Sequence, residues 1–72
     1  MVNINKLKGK IVECGESVES LAKKTGLNKS TIYRKMADNG DTFTIAEADI
    51  ISKILNLSKE EVNAIFFAQF VA

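Results

Sequence analysis

Apolar residues recur along this chain at helical spacing, three and four apart. Ile4, Leu7 and Ile11 share one helix face. Asn3 or Asn5 can cap that segment and Gly15 stands just past it, so a first helix is predicted over about 4–14. Gly9 within it costs up to ~1 kcal/mol against Ala and leaves room for a close helix contact. Val18, Leu21 and Ala22 form the stripe of a second helix, 18–25, with Ser17 as N-cap, Glu19 in the first turn where the helix dipole favours an acid, and Gly26 as its stop. A third, 29–37, is capped by Asn28, buries Ile32 and Met36, and ends in the turn signal Asp38-Asn39-Gly40. The fourth, 45–55, opens on the capping box Thr44–Glu47 and is expected to bury Ile45, Ala48, Ile51 and Leu55, with Ile54 beside them. The fifth, 59–67, opens on a second box, Ser58–Glu61, and carries Val62, Ile65 and Phe66; Leu57 before the cap is placed to staple onto Val62 or its neighbour. An apolar tail, 68–72, follows. Leu27 joins the expected core from the turn between helices two and three. Strand-like alternation runs no further than Asp41–Thr44, and there is no internal repeat or linker. The pattern predicts an all-α fold, five helices in a single domain spanning 1–72.

Composition narrows what such a domain does. A chain of 72 residues buries only about 60% of its unfolded surface, enough for one small core and not for an enclosed catalytic cleft with its scaffold. Hydrophobic residues at 46% and charged residues at 26% exclude disorder, and Gly 4 with Pro 0 exclude collagen-like and low-complexity classes. The one cysteine, Cys14, permits no internal disulfide, which fits a reducing cytoplasm. Histidine is absent, removing the commonest general base and the commonest zinc ligand. No paired carboxylates suggest acid–base work, so no catalytic residue, metal or cofactor is expected and the chain does not read as an enzyme. No apolar run approaches the ~20 residues of a membrane helix, and the N-terminus lacks a signal-peptide core.

The net charge of +1 conceals two unlike halves. Residues 1–40 carry eight Lys and Arg against four acids, a net of +4; residues 41–72 carry two against five, a net of −3. A basic half reopens the question of a nucleic-acid partner that the total argues against, although the same excess also describes a plain solvated surface.

The most informative stretch joins helices two and three through Lys24-Thr25-Gly26-Leu27-Asn28. Ala22 is small where a following helix crosses closely, Gly26 stands where the chain reverses, Leu27 plugs the corner, and Ile32 points back onto helix two. Two helices joined so tightly form either an ordinary αα-corner or a helix-turn-helix unit, whose second helix can lie in a DNA major groove. With one helix before the pair and two capped helices after it, the chain resembles the helix-turn-helix family of lambda-like phage repressors, the Cro and CI type. The resemblance covers about residues 4–67 and is strongest over Ser17–Met36, SVESLAKKTGLNKSTIYRKM; Thr44–Phe67 is similar to the last two helices of short repressors of Gram-positive temperate phages.

The resemblance implies a lambda-repressor-like DNA-binding domain with a central helix-turn-helix, working in the cytoplasm of a bacterial host. It implies that Asn28, Lys29, Ser30, Tyr33 and Arg34 form the binding face. Arg34 suits a guanine edge or a phosphate, Lys29 a phosphate or guanine, and Ser30 several bases. Tyr33 offers its ring to a thymine methyl and its hydroxyl to a phosphate, or packs half-buried. Asn28 is expected to cap helix three before it reads any base; Lys23 and Lys24 are expected to be solvated. One departure stands out: the family usually has Gln, a phosphate anchor, at the first position of helix two, and this chain has Val18. Weak DNA binding by a monomer is therefore expected.

The C-terminus departs as well, with Phe66, Phe67 and Phe70 among the last seven residues. Phe67 and Phe70 form the expected association surface, a homodimer or partner contact through the last helix and tail; the alternative is a tail packed on its own core. The leading expectation is a small regulator of a phage lysis–lysogeny switch that binds operator DNA as a Cro-like repressor. The alternative is a modulator of repression, an antirepressor that binds the main phage repressor through its helix-three face and blocks its DNA binding.

Overall fold

The computed structural model describes residues 2–67, and among them all regular structure is helical. The elements are α1 (Ile4–Glu13), α2 (Val18–Thr25), α3 (Lys29–Ala37), α4 (Ile45–Ile54) and α5 (Lys59–Phe66). Their ends fall where side-chain chemistry puts them. Asn3 caps α1 by accepting from the Lys6 N–H at 3.1 Å. Ser17 caps α2 in a reciprocal box closed by Ser20, while Thr44 and Ser58 open α4 and α5 with the expected Glu47 and Glu61 reaching back. Helices α1, α4 and α5 stop one residue before the expected ends, each at a cap residue: Cys14, Leu55 and Phe67.

Each helix contributes one side chain that is essentially removed from solvent: Leu7, Leu21, Ile32, Ile51 and Ile65. Around these five pack Ile11, Ala22, Met36, Ala48, Leu55 and Phe66. Helix α2 holds the middle, lying against both α3 and α4, and α1 packs on α5. The α1–α5 contact closes the chain's two ends: the Asn3 N–H donates to the Ile65 carbonyl at 2.7 Å, and Lys10 pairs with Glu61. Val18, Leu27, Leu57 and Val62 are only partly buried, at the margin of the same core.

Ile45 corrects the expected core. It is 79% exposed, although its spacing puts it close to the stripe formed by Ala48, Ile51 and Leu55. As the first residue of α4 it projects past the end of the packed surface. Phe66 is in the core and Phe43, just before α4, is partly buried against it, their rings meeting edge to face at 6.3 Å. Two hydroxyl residues also lie inside, each satisfied locally. Ser52 donates to the Ala48 carbonyl at 2.6 Å, and Thr25 donates to the Leu21 carbonyl at 2.8 Å while accepting from the Leu27 N–H. Gly9 makes no close contact, since a Cβ added there would meet nothing within 4 Å.

Candidate functional site

The turn between α2 and α3 fixes how α3 is presented. Thr25 bonds back into α2 and hands its oxygen to the Leu27 N–H. Gly26 then takes φ +78°, a left-handed conformation that costs any residue with a Cβ, and its N–H closes on the Ala22 carbonyl. Asn28 follows in extended conformation and caps α3, accepting from the Ser30 N–H at 2.8 Å. Asn28 thus takes the structural role expected of it. With Ile32 and Met36 turned into the core, the opposite side of α3 is left to solvent.

That side brings together Lys29, Ser30, Tyr33 and Arg34, all exposed. Residues three and four apart on a helix are neighbours, so the four form one continuous crest. Phe67 belongs elsewhere, half-buried against the core at the end of α5. Phe70 lies outside the described residues.

The sequence does not reveal the residue that gives the crest its electrical character. The Tyr33 hydroxyl donates to Glu19 Oε2 at 3.1 Å, across fourteen positions of sequence. The carboxyl of Glu19 is held below its ordinary range first by its own backbone N–H, then by the Tyr33 hydroxyl and the nearby charge of Lys29. The same bond pushes the Tyr33 phenol upward. At neutral pH the site therefore presents a fixed carboxylate beside a protonated phenol.

Cations that the sequence offers to this half of the molecule are partly committed elsewhere. Lys24 pairs with Glu16 at 2.6 Å, so it is not merely solvated. Lys35, on α3 itself, reaches Glu47 on α4 at 2.5 Å and lies 6.0 Å from the centre of the Phe43 ring. Among the described residues Lys29 and Arg34 have no salt-bridge partner. The crest thus carries two available cations and one anion.

A groove of about 470 Å³ lies beside the crest, between α1, the start of α2 and α3; Lys8, Ile11, Val12, Val18, Tyr33 and Met36 line it. Val12 is 75% exposed. Its signal was present in the sequence, as an apolar residue off the Ile4–Leu7–Ile11 stripe. A second hollow is lined by Glu19, Ala22, Lys23, Gly26, Leu27 and Lys29. The Tyr33–Glu19 bond links the rims of the two depressions.

Among the described residues no cluster of three His, Cys, Asp or Glu side chains is placed to hold a metal ion, and no helix is long and apolar enough to cross a membrane. The crest is exposed on a helix whose opposite side is buried through Ile32 and Met36. No protein-family model matches the chain, and it has no significant similarity to a curated protein or to a solved structure.

Proposed function

We propose that the chain is a lambda-repressor-like helix-turn-helix domain that acts in a phage lysis–lysogeny switch by binding the main phage repressor through its α3 crest. The observation that carries this reading is Glu19, ionised and tied to Tyr33 in the middle of the crest. Binding to a DNA backbone draws its affinity from phosphates neutralised by Lys and Arg. A carboxylate there repels phosphates, and Lys24 and Lys35 are already engaged by Glu16 and Glu47. A protein surface, by contrast, accepts mixed charge, and Tyr and Arg are the types enriched at protein hot spots. The repressor surface that fits offers acids opposite Lys29 and Arg34 and a base opposite Glu19. Masking the repressor's own recognition helix would then block its operator.

A second reading keeps one observation in its favour. Among the described residues Lys29 and Arg34 are exposed and in no salt bridge, on the helix that would enter a major groove, as a Cro-like repressor requires. A titration of operator DNA with the purified chain, with and without the main repressor, separates the two. The antirepressor reading expects no retardation by the chain alone and release of bound repressor when it is added. It also expects the double variant Tyr33→Ala, Arg34→Ala to lose that release. Sequence-specific retardation by the chain alone would instead establish the Cro-like reading.

A further inference from the structure

We propose that Asn39–Gly40 is a self-modification site, a point of spontaneous deamidation that the C-terminal cap of α3 holds shut and that opening of this cap releases. Water is the only co-reactant, and the proposal does not depend on what the crest binds.

Three helices of this chain end in the same way. Past α1, α3 and α4 the residue after the cap is left-handed, at φ +72° for Gly15, +60° for Asn39 and +53° for Asn56. In each, two N–H groups turn back into the last turn: Gly15 and Glu16 donate to the Val12 and Ile11 carbonyls, Asn39 and Gly40 to Met36 and Lys35, Asn56 and Leu57 to Lys53 and Ser52. Glycine is the usual residue at the left-handed position, and asparagine also serves there. What singles out Asn39 is its neighbour. Of the six asparagines in the chain it alone precedes glycine, so no side chain hinders the following amide nitrogen from reaching its side-chain carbonyl.

The chemistry is a cyclisation followed by hydrolysis. The Gly40 amide nitrogen gives its proton to hydroxide and attacks Cγ of Asn39. The new N–C bond forms, the Cγ–Nδ2 bond breaks, and the side-chain amide leaves as ammonia, giving a succinimide. Water then opens either carbonyl of the ring, to aspartate or to iso-aspartate, in which the main chain runs through Cβ and Cγ.

The folded chain withholds the nucleophile. The Gly40 N–H donates to the Lys35 carbonyl at 2.8 Å, Gly40 is buried, and the side chains of Val2 and Ile4 lie where a Cβ would stand. Asn39 itself is exposed, so water reaches the ring once it has formed. Modification changes the end of α3. It places a carboxylate beside Asp38, where the helix dipole disfavours an anion, and cancels the net +1 charge of the chain. The iso-aspartyl form also lengthens the main chain inside the cap, which parts Gly40 from Lys35 and loosens the last turn of the helix that carries Arg34.

The test follows the purified full chain at mildly alkaline pH by peptide mass mapping, folded and in guanidinium, with hydrogen exchange at the Gly40 amide measured in parallel. In guanidinium Asn39 is expected to react well ahead of Asn56, which shares its cap but precedes leucine. In the folded chain Asn39 is expected to react about tenfold or more slowly, in proportion to the open fraction of the cap. Val2→Ala thins the cover on Gly40 and should speed exchange and modification by the same factor. Equal rates in folded and denatured chains overturn the lock, and Asn56 keeping pace with Asn39 in guanidinium overturns the site. If Val2→Ala changes one rate without the other, or neither, the covered Gly40 nitrogen is not what limits the reaction. Asn39→Gly keeps the left-handed cap and should abolish the new acidic species on ion exchange; its persistence would exclude Asn39 as the source.

Discussion

Single residues set two measurable properties of this fold. Gly26 and Gly40 share a left-handed backbone, at φ +78° and +73°, but differ in their surroundings. A Cβ at Gly26 would meet nothing within 4 Å, whereas one at Gly40 would lie 2.6 Å from Val2 Cβ and 2.9 Å from Ile4 Cδ1. Gly26→Ala is therefore expected to cost only the conformational term, about 1–2 kcal/mol. Gly40→Ala adds an overpacking cost of about 1–3 kcal/mol, because Val2 Cβ cannot swing aside without its backbone. Urea unfolding of both variants checks the order; equal losses would contradict the packing of the N-terminal segment on Gly40. Glu61 sets the acid limb of stability. Its bond to Lys10, and then the Ser58 N–H, lower its carboxyl from 4.5 to about 2 in the folded chain. A folded value below the unfolded one stabilises the fold above pH 4.5, and that contribution disappears as pH falls through about 2. Lys10 is raised above its ordinary 10.5 first by Glu61, so its share is present below that value and disappears as pH rises through the raised one. Glu61→Gln should flatten both limbs in melts across the pH range, and added salt should shrink the difference from wild type, since the pair is partly exposed.

At the scale of the element, local chemistry and periodicity carried most of the information. Caps at Asn3, Ser17, Asn28, Thr44 and Ser58 are bonds within a few residues, so the sequence displays them directly, and the five fully buried side chains all fall on predicted stripes. What periodicity does not encode is where a helix meets a neighbour. Ile45 has the right phase for burial and no surface to pack on, while Phe43, in a turn with no period, is drawn in by Phe66. The Tyr33–Glu19 bond was hidden for the same reason, since it depends on how α2 and α3 cross. Two substitutions test the helix assignments. Gly9→Ala, in an exposed stretch of α1 with no neighbour near the added carbon, should stabilise the domain by about 0.5–1 kcal/mol. Leu21→Ala removes a fully buried side chain from the central helix and should cost about 2–5 kcal/mol, enough to unfold much of a domain this small. An unchanged melting temperature for Leu21→Ala would contradict the placement of α2.

For the molecule as a whole, the balance of charge on one face separates a DNA reader from a protein binder. Three of the eight cations of residues 1–40 are engaged in structure: Lys10 ties α1 to α5, Lys24 ties the end of α2 to Glu16, and Lys35 ties α3 to α4. The crest keeps Lys29 and Arg34 against Glu19, a net of only +1 once the three are counted together. Glu19→Lys changes that count by two charges without touching the core, because Glu19 is exposed. If the crest is built for a mixed-charge protein surface, this variant should bind the repressor domain about tenfold more weakly. It should at the same time gain non-specific DNA affinity, and its salt dependence should steepen by about one unit for each new phosphate contact. Opposite movements of the two affinities in parallel titrations are the expected outcome. If the chain is instead a Cro-like operator binder, Glu19→Lys strengthens DNA binding while a repressor interaction is absent from the start. A variant that binds both partners as wild type does would remove Glu19 from the site and leave Lys29, Ser30, Tyr33 and Arg34 to account for recognition alone.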